Sequence, residues 1–523
     1  MKKIGIFGWG IVAPESPDID TFYSNLDKGA SWLSPFNGFG PDNFLVGSPE
    51  FEFERYRPWI DARFPANRYR QLSEKMDPTT LHAIGAFIQS LDQNPGIEEE
   101  LHTLGTEAHV YIGCGVGNIP TIQSCSLELY RAQRQWNRFW GDSERNSMLR
   151  EYLSSPSDHG HALPEIPANP ETAKAADLDR AEEAWYACWT ERSLELKKFL
   201  KELAEIDGMS VQGNVETGKK ALIKEKQRRK LRLFSDWGAP SAPWENVSPN
   251  IIWNIANTPA SQISMLGRIT GLSFGAVAAC STFGVCLKLA MDTIRRGEAK
   301  VVVIGATDPP PQPLIVGAFY AARVLSADGG VSKPLTGLRG THVSGGSVLW
   351  IVGDYEYMTS RGYRAMGMEP LTVGVSSDAD HIITPSKEGP LSAIHQAISD
   401  AGITPDVIDT WDLHATATPG DYLEMENLLD VVPESVLVTA RKGIFGHGMS
   451  AGGGWELTAQ YLGYEHGKML PIPLKRSELN EEIGKIHSRF VFDDHCEPSN
   501  GVAGKMSMGI GGVNACVLSR PIE

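Results

Sequence analysis

Cysteine is scarce in this chain: seven residues in 523, an odd number with no Cys-x-x-Cys pair. That spacing argues against a disulfide framework and points to a reducing compartment, the cytoplasm. No uninterrupted apolar run reaches the ~18 residues of a membrane-span candidate, so no membrane span is expected. The opening MKKIGIFGWGIVAP has too short an apolar stretch for a signal peptide, and Gly5, Gly8 and Gly10 followed by Pro14 read as a first strand and turn. Positive charge is in deficit, 48 Lys and Arg against 64 Asp and Glu for a net −16, which argues against nucleic acid as a partner. A phosphate-binding loop is also missing. Gly113-x-Gly115-x-Gly117 has no Lys-Ser/Thr after it, so no nucleotide site is expected.

What is present is organised around Ala276-Val-Ala-Ala-Cys280-Ser281-Thr-Phe-Gly. A small apolar run breaks at a thiol and a helical pattern begins at once, which puts Cys280 at a strand-to-helix corner. The unpaired N–H groups of a first helical turn favour an anion, so the thiol is expected to titrate below its usual ~8.5. Taken alone, such a cysteine is as consistent with a small buried hydrophobe. Two histidines downstream change the reading. His414 follows Val407-Ile-Asp-Thr-Trp-Asp-Leu413, and His447 closes Lys442-Gly-Ile-Phe-Gly446-His447 before Gly448-Met-Ser-Ala-Gly-Gly-Gly454. One thiol and two imidazoles at the ends of strand-like runs suggest acyl-thioester chemistry.

Four motifs now stand in order: Ala-Ala-Cys280-Ser, His414-x-Thr416-x-Thr418-Pro419, Lys442-x-x-x-Gly446-His447 and Ser507-Met-Gly509-Ile-Gly511-Gly512-x-Asn514. In these the chain resembles the β-ketoacyl synthases, condensing enzymes of the thiolase superfamily in fatty acid and polyketide assembly. The resemblance covers most of the chain outside about 125–245. It implies an α/β thiolase-like fold of two similar βαβαβ-type halves in a layered αβαβα arrangement. The N-terminal half, 1–360, would carry Cys280 and a charged helical insertion, and the C-terminal half, 361–523, would carry His414 and His447.

The alternation of strand and helix outside the insertion agrees with that fold class. Asp77-Pro78 opens an apolar helix, Val110–Ile112 and Val301–Gly305 read as buried strands, the helix after Cys280 stops near Gly297, and a helix through Leu391 and Ile398 ends near Gly402. His395 on that helix reads as a surface or satisfied residue without a role. Within the insertion, Trp185, Trp189, Leu196, Phe199, Leu200 and Leu203 predict one amphipathic helix from about Ala175 to Ile206, its stripe packed as core against the parent fold. Pro156 to Pro170 reads as a surface loop. Gly218 to Phe234 holds Lys219, Lys220, Lys224, Lys226, Arg228, Arg229, Lys230 and Arg232 with only Glu225 of opposite sign, either a solvated helix face or a docking patch for an acidic acyl carrier protein.

The resemblance implies roles. Cys280 is the nucleophile, and His414 and His447 donate N–H groups to the enolate left by decarboxylation. Lys442 supports the histidines, and Thr416 and Thr418 bond the pantetheine arm. The oxyanion donors are the backbone N–H groups of Cys280 and of the Ile510–Gly511 segment. The partners are an acyl carrier protein bearing acyl and malonyl groups and a second ketosynthase chain, as homodimer or heterodimer. The chemistry needs no metal or redox cofactor. Glu456 and Asp421 rank as supporting groups. Departures from the family pattern are Ala415 in place of glycine, Thr336, Gly340 and Gly346 in place of acidic residues, and Met508 and Ile510 in place of a phenylalanine pair. The second of that pair gates the acyl pocket, so Ile510 implies a gate of different shape. Three alternatives stay open: a non-condensing acyltransferase, a thiolase with Cys516 as its second cysteine, and a pairing subunit like a chain-length factor.

Overall fold

The computed structural model describes residues 2–40, 43–154, 166–172, 174–210, 215–380, 382, 386–494, 497 and 501–522. Its residues form two compact units, Met1–Thr121 with Asn250–Glu523, and Ile122–Pro249.

The first unit is built on strands whose residues are nearly all apolar or small, the pattern of strands covered on both faces. Every residue of β1 (Ile4–Val12), β2 (Ala108–Gly113), β4 (Val301–Asp308) and β5 (Gly346–Asp354) is buried, and only the two-residue β3 (Ser273–Phe274) is half-buried. They form one sheet in the order β1-β5-β4-β2-β3. A second sheet holds β6 (Met368–Ser377), β7 (Ile408–Asp412), β8 (Leu437–Thr439), β9 (Val502–Gly509) and β10 (Val513–Pro521) in the order β6-β10-β9-β7-β8. Numbered by position within each half, both sheets read 1-5-4-2-3. Their pairings also match, antiparallel for the first two neighbours and parallel for the last two. The chain therefore contains the same topology twice.

Four helices complete the layers. On the outside, α1 (Pro78–Asp92) packs on β1, β4 and β5, and α3 (Glu388–Ala401) packs on β6 and β10. Two others, α2 (Thr282–Arg296) and α4 (Met449–Glu465), each touch strands of both sheets and so form the middle layer of the αβαβα stack. The sequence explains the difference. α2 buries Phe283, Cys286, Leu287, Ala290, Met291 and Ile294, an apolar stripe at helical spacing, whereas α4 is buried from Met449 through Gly463 and carries no polar face. The expected helix boundaries hold: Asp77 caps α1, and Gly297 and Gly402 end α2 and α3 in left-handed conformation. At Gly10 a Cβ would lie 1.8 Å from the Ala86 carbonyl, so only glycine lets α1 sit this close to β1. His395 is exposed on α3.

The second unit is helical and differs from expectation in two respects. The single helix expected from about Ala175 to Ile206 is two helices, Leu178–Arg192 and Leu194–Asp207, because the Ser193 hydroxyl caps the second by accepting the Leu196 N–H at 3.1 Å. The aromatic stripe also joins a core of the unit's own. Leu196, Phe199 and Leu203 cluster with Trp136, Trp140, Leu233 and Ala242, and Trp185 and Trp189 cluster with Leu149. The basic run lies on the helix Val215–Trp237, where Glu225 pairs with Arg228 and Arg229, Asp207 with Lys230, and Asp236 with Arg232. Residues 156–165 of the expected Pro-rich loop lie outside the described residues, and 170–172 form a single 3-10 turn.

Candidate active site

Three chain corners in the first unit meet at one cavity of about 520 Å³, whose lining includes Cys280, His414, His447, Thr416, Thr418 and Ile510. Lys442 lies behind this wall, and Gly511 directs its N–H away to the Ile382 carbonyl at 2.7 Å. Cys516 is fully buried in β10 and is not part of the lining.

The Cys280 corner is a 3-10 turn, Ala279–Ser281, leading into α2. Ala279 holds the left-handed conformation at φ 47°, which is strained for a residue with a Cβ and turns the chain sharply before the helix. Neighbouring hydroxyls fix the turn. Thr282 Oγ1 accepts the Ala278 N–H at 3.0 Å and donates to the Ala279 carbonyl at 2.7 Å, while Ser281 Oγ lies 2.7 Å from the Val513 carbonyl and 3.0 Å from that of Ser507. The thiol does not titrate low as expected. Burial pushes it up to about 11, outweighing the backbone N–H groups of Ile510 and Cys280, which bond the sulfur, and the Lys442 charge, which favours thiolate. Helix position alone does not report how little water reaches the group.

The His414 corner follows β7. The Glu424 carboxylate accepts the backbone N–H groups of His414 at 2.6 Å and Ala415 at 2.8 Å, and Asp421 accepts those of Thr416 at 2.8 Å, Ala417 at 3.1 Å and Leu335 at 2.9 Å. Burial raises both acids, Asp421 to about 6 and Glu424 to about 7, against the pull of those backbone donors. Thr416 and Thr418 face each other with hydroxyls 2.9 Å apart on the cavity wall.

The His447 corner comes from the short helix Lys442–Phe445 and leads into α4. Gly446 turns the chain at φ 75°, where a Cβ would also strike Ser344 Oγ at 2.3 Å. His447 Nδ1 accepts the Met449 N–H at 3.0 Å, so in the neutral ring the proton sits on Nε2. His414 Nδ1 faces Lys442 Nζ at 3.4 Å, which selects the same tautomer. Both rings are neutral. Burial, then the Lys442 charge, holds His414 well below its usual value and His447 at about 3. The two rings stand perpendicular, centroids 5.5 Å apart. Behind them Lys442 donates to the His414 carbonyl and to Glu456 at 2.7 Å, and the other Glu456 oxygen meets Lys505 at 2.7 Å. Glu456 is held below its ordinary value by these two cations, although its burial acts in the opposite direction.

The arrangement offers a sulfur with two backbone donors beside it and two neutral imidazoles in one pocket, a layout suited to charge developing on thioester oxygens. Several residues around the site carried no role in the sequence reading. Arg323, Arg339 and Phe319 line the cavity, and Asn514 donates to Asp378 at 2.6 Å on its wall. Asp308 bonds the Gly115 and Val116 N–H groups at 3.0 and 2.8 Å, so the glycine cluster dismissed as a phosphate loop receives a carboxylate of the chain itself. The one sequence signal for Asp308 was its place as an acid ending a buried strand. Among the described residues there is no cluster of His, Cys, Asp and Glu able to hold a metal ion, and no helix long and apolar enough to cross a membrane.

Comparison with known proteins places these features. Residues 229–349 match the family model for the β-ketoacyl synthase N-terminal domain, and 370–473 match that for its C-terminal domain. Nodulation protein E of Rhizobium meliloti is 30% identical over 217 residues, 40% of this chain and 53% of that protein, so the match spans about half the length of that relative. The chloroplastic 3-oxoacyl-[acyl-carrier-protein] synthase I of Hordeum vulgare is 27% identical over 308 residues, covering 56% of this chain and 65% of that one. Among solved structures, the ishigamide ketosynthase/chain length factor shares the fold with TM-score 0.69 at 18% identity. A β-ketoacyl synthase from Burkholderia phymatum does so with TM-score 0.67 at 16% identity. Both alignments cover 100% of each chain.

Proposed function

We propose that this chain, which belongs to the β-ketoacyl synthase family, catalyses decarboxylative Claisen condensation of an acyl-Cys280 intermediate with a malonyl thioester. The observation that carries the reading is the opening of Cys280, His414 and His447 onto one cavity, with both imidazoles neutral and fixed as Nε2–H donors. Cys280 sulfur attacks the acyl thioester carbonyl. The oxyanion is held by the N–H groups of Cys280 and Ile510, and collapse expels the carrier thiolate, which takes up the proton the thiol lost. A malonyl thioester then enters along Thr416 and Thr418. Its carbon–carboxylate bond breaks to release CO2, and the electron pair moves to an enolate whose oxygen His414 and His447 stabilise. The enolate carbon attacks the acyl-Cys280 carbonyl, the carbon–sulfur bond breaks to free the β-ketoacyl product, and the departing Cys280 thiolate takes a proton from water to restore the thiol. Lys442, bridged by Glu456 to Lys505, keeps the rings neutral and oriented.

In this reading the chain divides at about 360 into the two halves, with 125–245 as the insertion. The substrates ride on the pantetheine of an acyl carrier protein, and the active unit is a dimer in the cytoplasm. The open edge of β3 supports the dimer, because Ile252, Trp253, Ile255, Met265, Leu272 and Val277 around it are half or more exposed. The six described cysteines, all free, support a reducing compartment. The test is intact-mass analysis after incubation with a panel of acyl thioesters, together with CO2 release from malonyl carrier protein. The expected outcome is one acyl group on Cys280 and CO2 release. Acylation without CO2 would favour the non-condensing acyltransferase, and no acylation would favour a pairing subunit.

A further inference from the structure

We infer that Asp308 is a positioning residue for His447, acting through the first turn of α4. This rests on the role proposed above for His447. Asp308 ends β4 with 0% exposure and has no ion-pair partner among the described residues. One carboxylate oxygen accepts the Gly115 and Val116 N–H groups. The other accepts the Ser450 N–H at 2.8 Å and the Ser450 hydroxyl, and the Asp308 carbonyl faces His82 Nδ1 at 3.2 Å.

The geometry explains why a carboxyl group is placed there although burial pushes its pKa above the ordinary carboxylate value. A helix begins with N–H groups that have no partner inside it. In α4 the first of these, from Met449, turns back to His447 Nδ1 at 3.0 Å, and the next, from Ser450, goes to Asp308. Between these two bonds Met449 holds φ 49°, a left-handed conformation that a side chain disfavours. The backbone of His447 is held on one side by its N–H to the His342 carbonyl at 2.6 Å and by the Ser344 N–H to its carbonyl at 2.9 Å, and the paired bonds of Ser450 to Asp308 fix the turn from the α4 side. The Met449 bond in turn leaves the proton of the neutral His447 ring on Nε2, facing the cavity. Without the Asp308 anchor the turn can relax, the Met449 N–H leaves Nδ1, and the ring is free to carry its proton on the wrong nitrogen.

Cys280 belongs to a different corner, so the inference separates two activities that a general loss of structure would lower together. In Asp308→Asn the group facing Ser450 becomes an amide, and in Ser450→Ala only the hydroxyl is removed, which leaves the fold less challenged. Both are expected to lower CO2 release from a malonyl thioester at least tenfold, while alkylation of Cys280 by iodoacetamide stays within threefold of the parent in Ser450→Ala and is not slowed in Asp308→Asn, which removes a charge that disfavours the thiolate. Asp308→Glu should recover part of the loss. The imidazole 15N shifts of His447, assigned by their disappearance in His447→Ala, give a readout independent of the reaction: Nε2–H in the parent, a tautomer mixture in the variants. If the parent releases no CO2, the functional reading fails while the 15N comparison still decides the positioning. Unchanged His447 shifts in both variants would overturn the inference, as would parallel loss of alkylation and CO2 release.

Discussion

The pH dependence of Cys280 reactivity follows from its surroundings with a definite sign and size. Burial raises the thiol from 9.0 to about 11, against the Ile510 and Cys280 N–H groups and the Lys442 charge. Two pH units correspond to roughly 2.7 kcal/mol favouring the protonated form. At pH 8 the free enzyme therefore carries about one hundredth of the thiolate that an ordinary cysteine would. The assay is alkylation by iodoacetamide, quantified at the Cys280 peptide by mass spectrometry from pH 7 to pH 10. The rate constant should climb about tenfold per pH unit across the whole range, because thiolate is the attacking species. Lys442→Met removes a charge that favours thiolate, so it should slow alkylation further at every pH. A rate that levels off near pH 7, or a Lys442→Met variant that reacts faster, would refute the reasoning: the helix terminus, and not burial, would then govern the sulfur.

Other consequences can be measured separately. Glu424 has a folded-state value of about 7 against an ordinary 4.5, so the folded protein holds that proton more tightly than the unfolded chain. Its contribution is present in full below pH 4.5 and is lost as pH rises through 7, worth about 3 kcal/mol. Thermal unfolding of Glu424→Gln, relative to the parent, should therefore improve steadily from pH 4.5 to 7.5, and a difference independent of pH would contradict this. Ile510 is 47% exposed on the cavity wall. Ile510→Phe should shift the acyl chain-length profile, read by competition among acyl thioesters for Cys280, and an unchanged profile would remove the gate from the account. Leu272→Asp places a charge beside the open edge of β3 and should shift the dimer to monomer in light scattering.

How much of this was legible in the sequence depends on the range of the interaction. Caps and breakers act over a few residues, so Asp77, Gly297 and Gly402 marked helix boundaries without any knowledge of the fold. The order of the four motifs around Cys280, His414, His447 and Asn514 pointed to the family, and with it to the layered halves. Effects set by tertiary burial were not legible. The thiol of Cys280 was expected to titrate low because a helix terminus is visible in sequence and the exclusion of water is not. Glu424 holds the backbone of His414 from ten positions away, and Asp308 at the end of β4 reaches Ser450 in the middle layer, 142 positions on, pairings no local pattern encodes. Within the insertion, the apolar spacing ran on past Ser193 with Arg192 interrupting the stripe, and the cap bond to Leu196 shows that two helices meet there.

The central claim is that His414 and His447 act on the enolate and Cys280 on the acyl group, all from the lining of one cavity. CO2 release from malonyl carrier protein by His414→Ala and His447→Ala, measured beside Cys280 acylation in the same samples, tests this most directly. Loss of one donor to a developing oxyanion costs about 10²–10³ in rate. The account predicts a fall of that size in CO2 release for each variant, with acylation retained. Variants that release CO2 at the parent rate, or that lose acylation and CO2 release to the same degree, would contradict it.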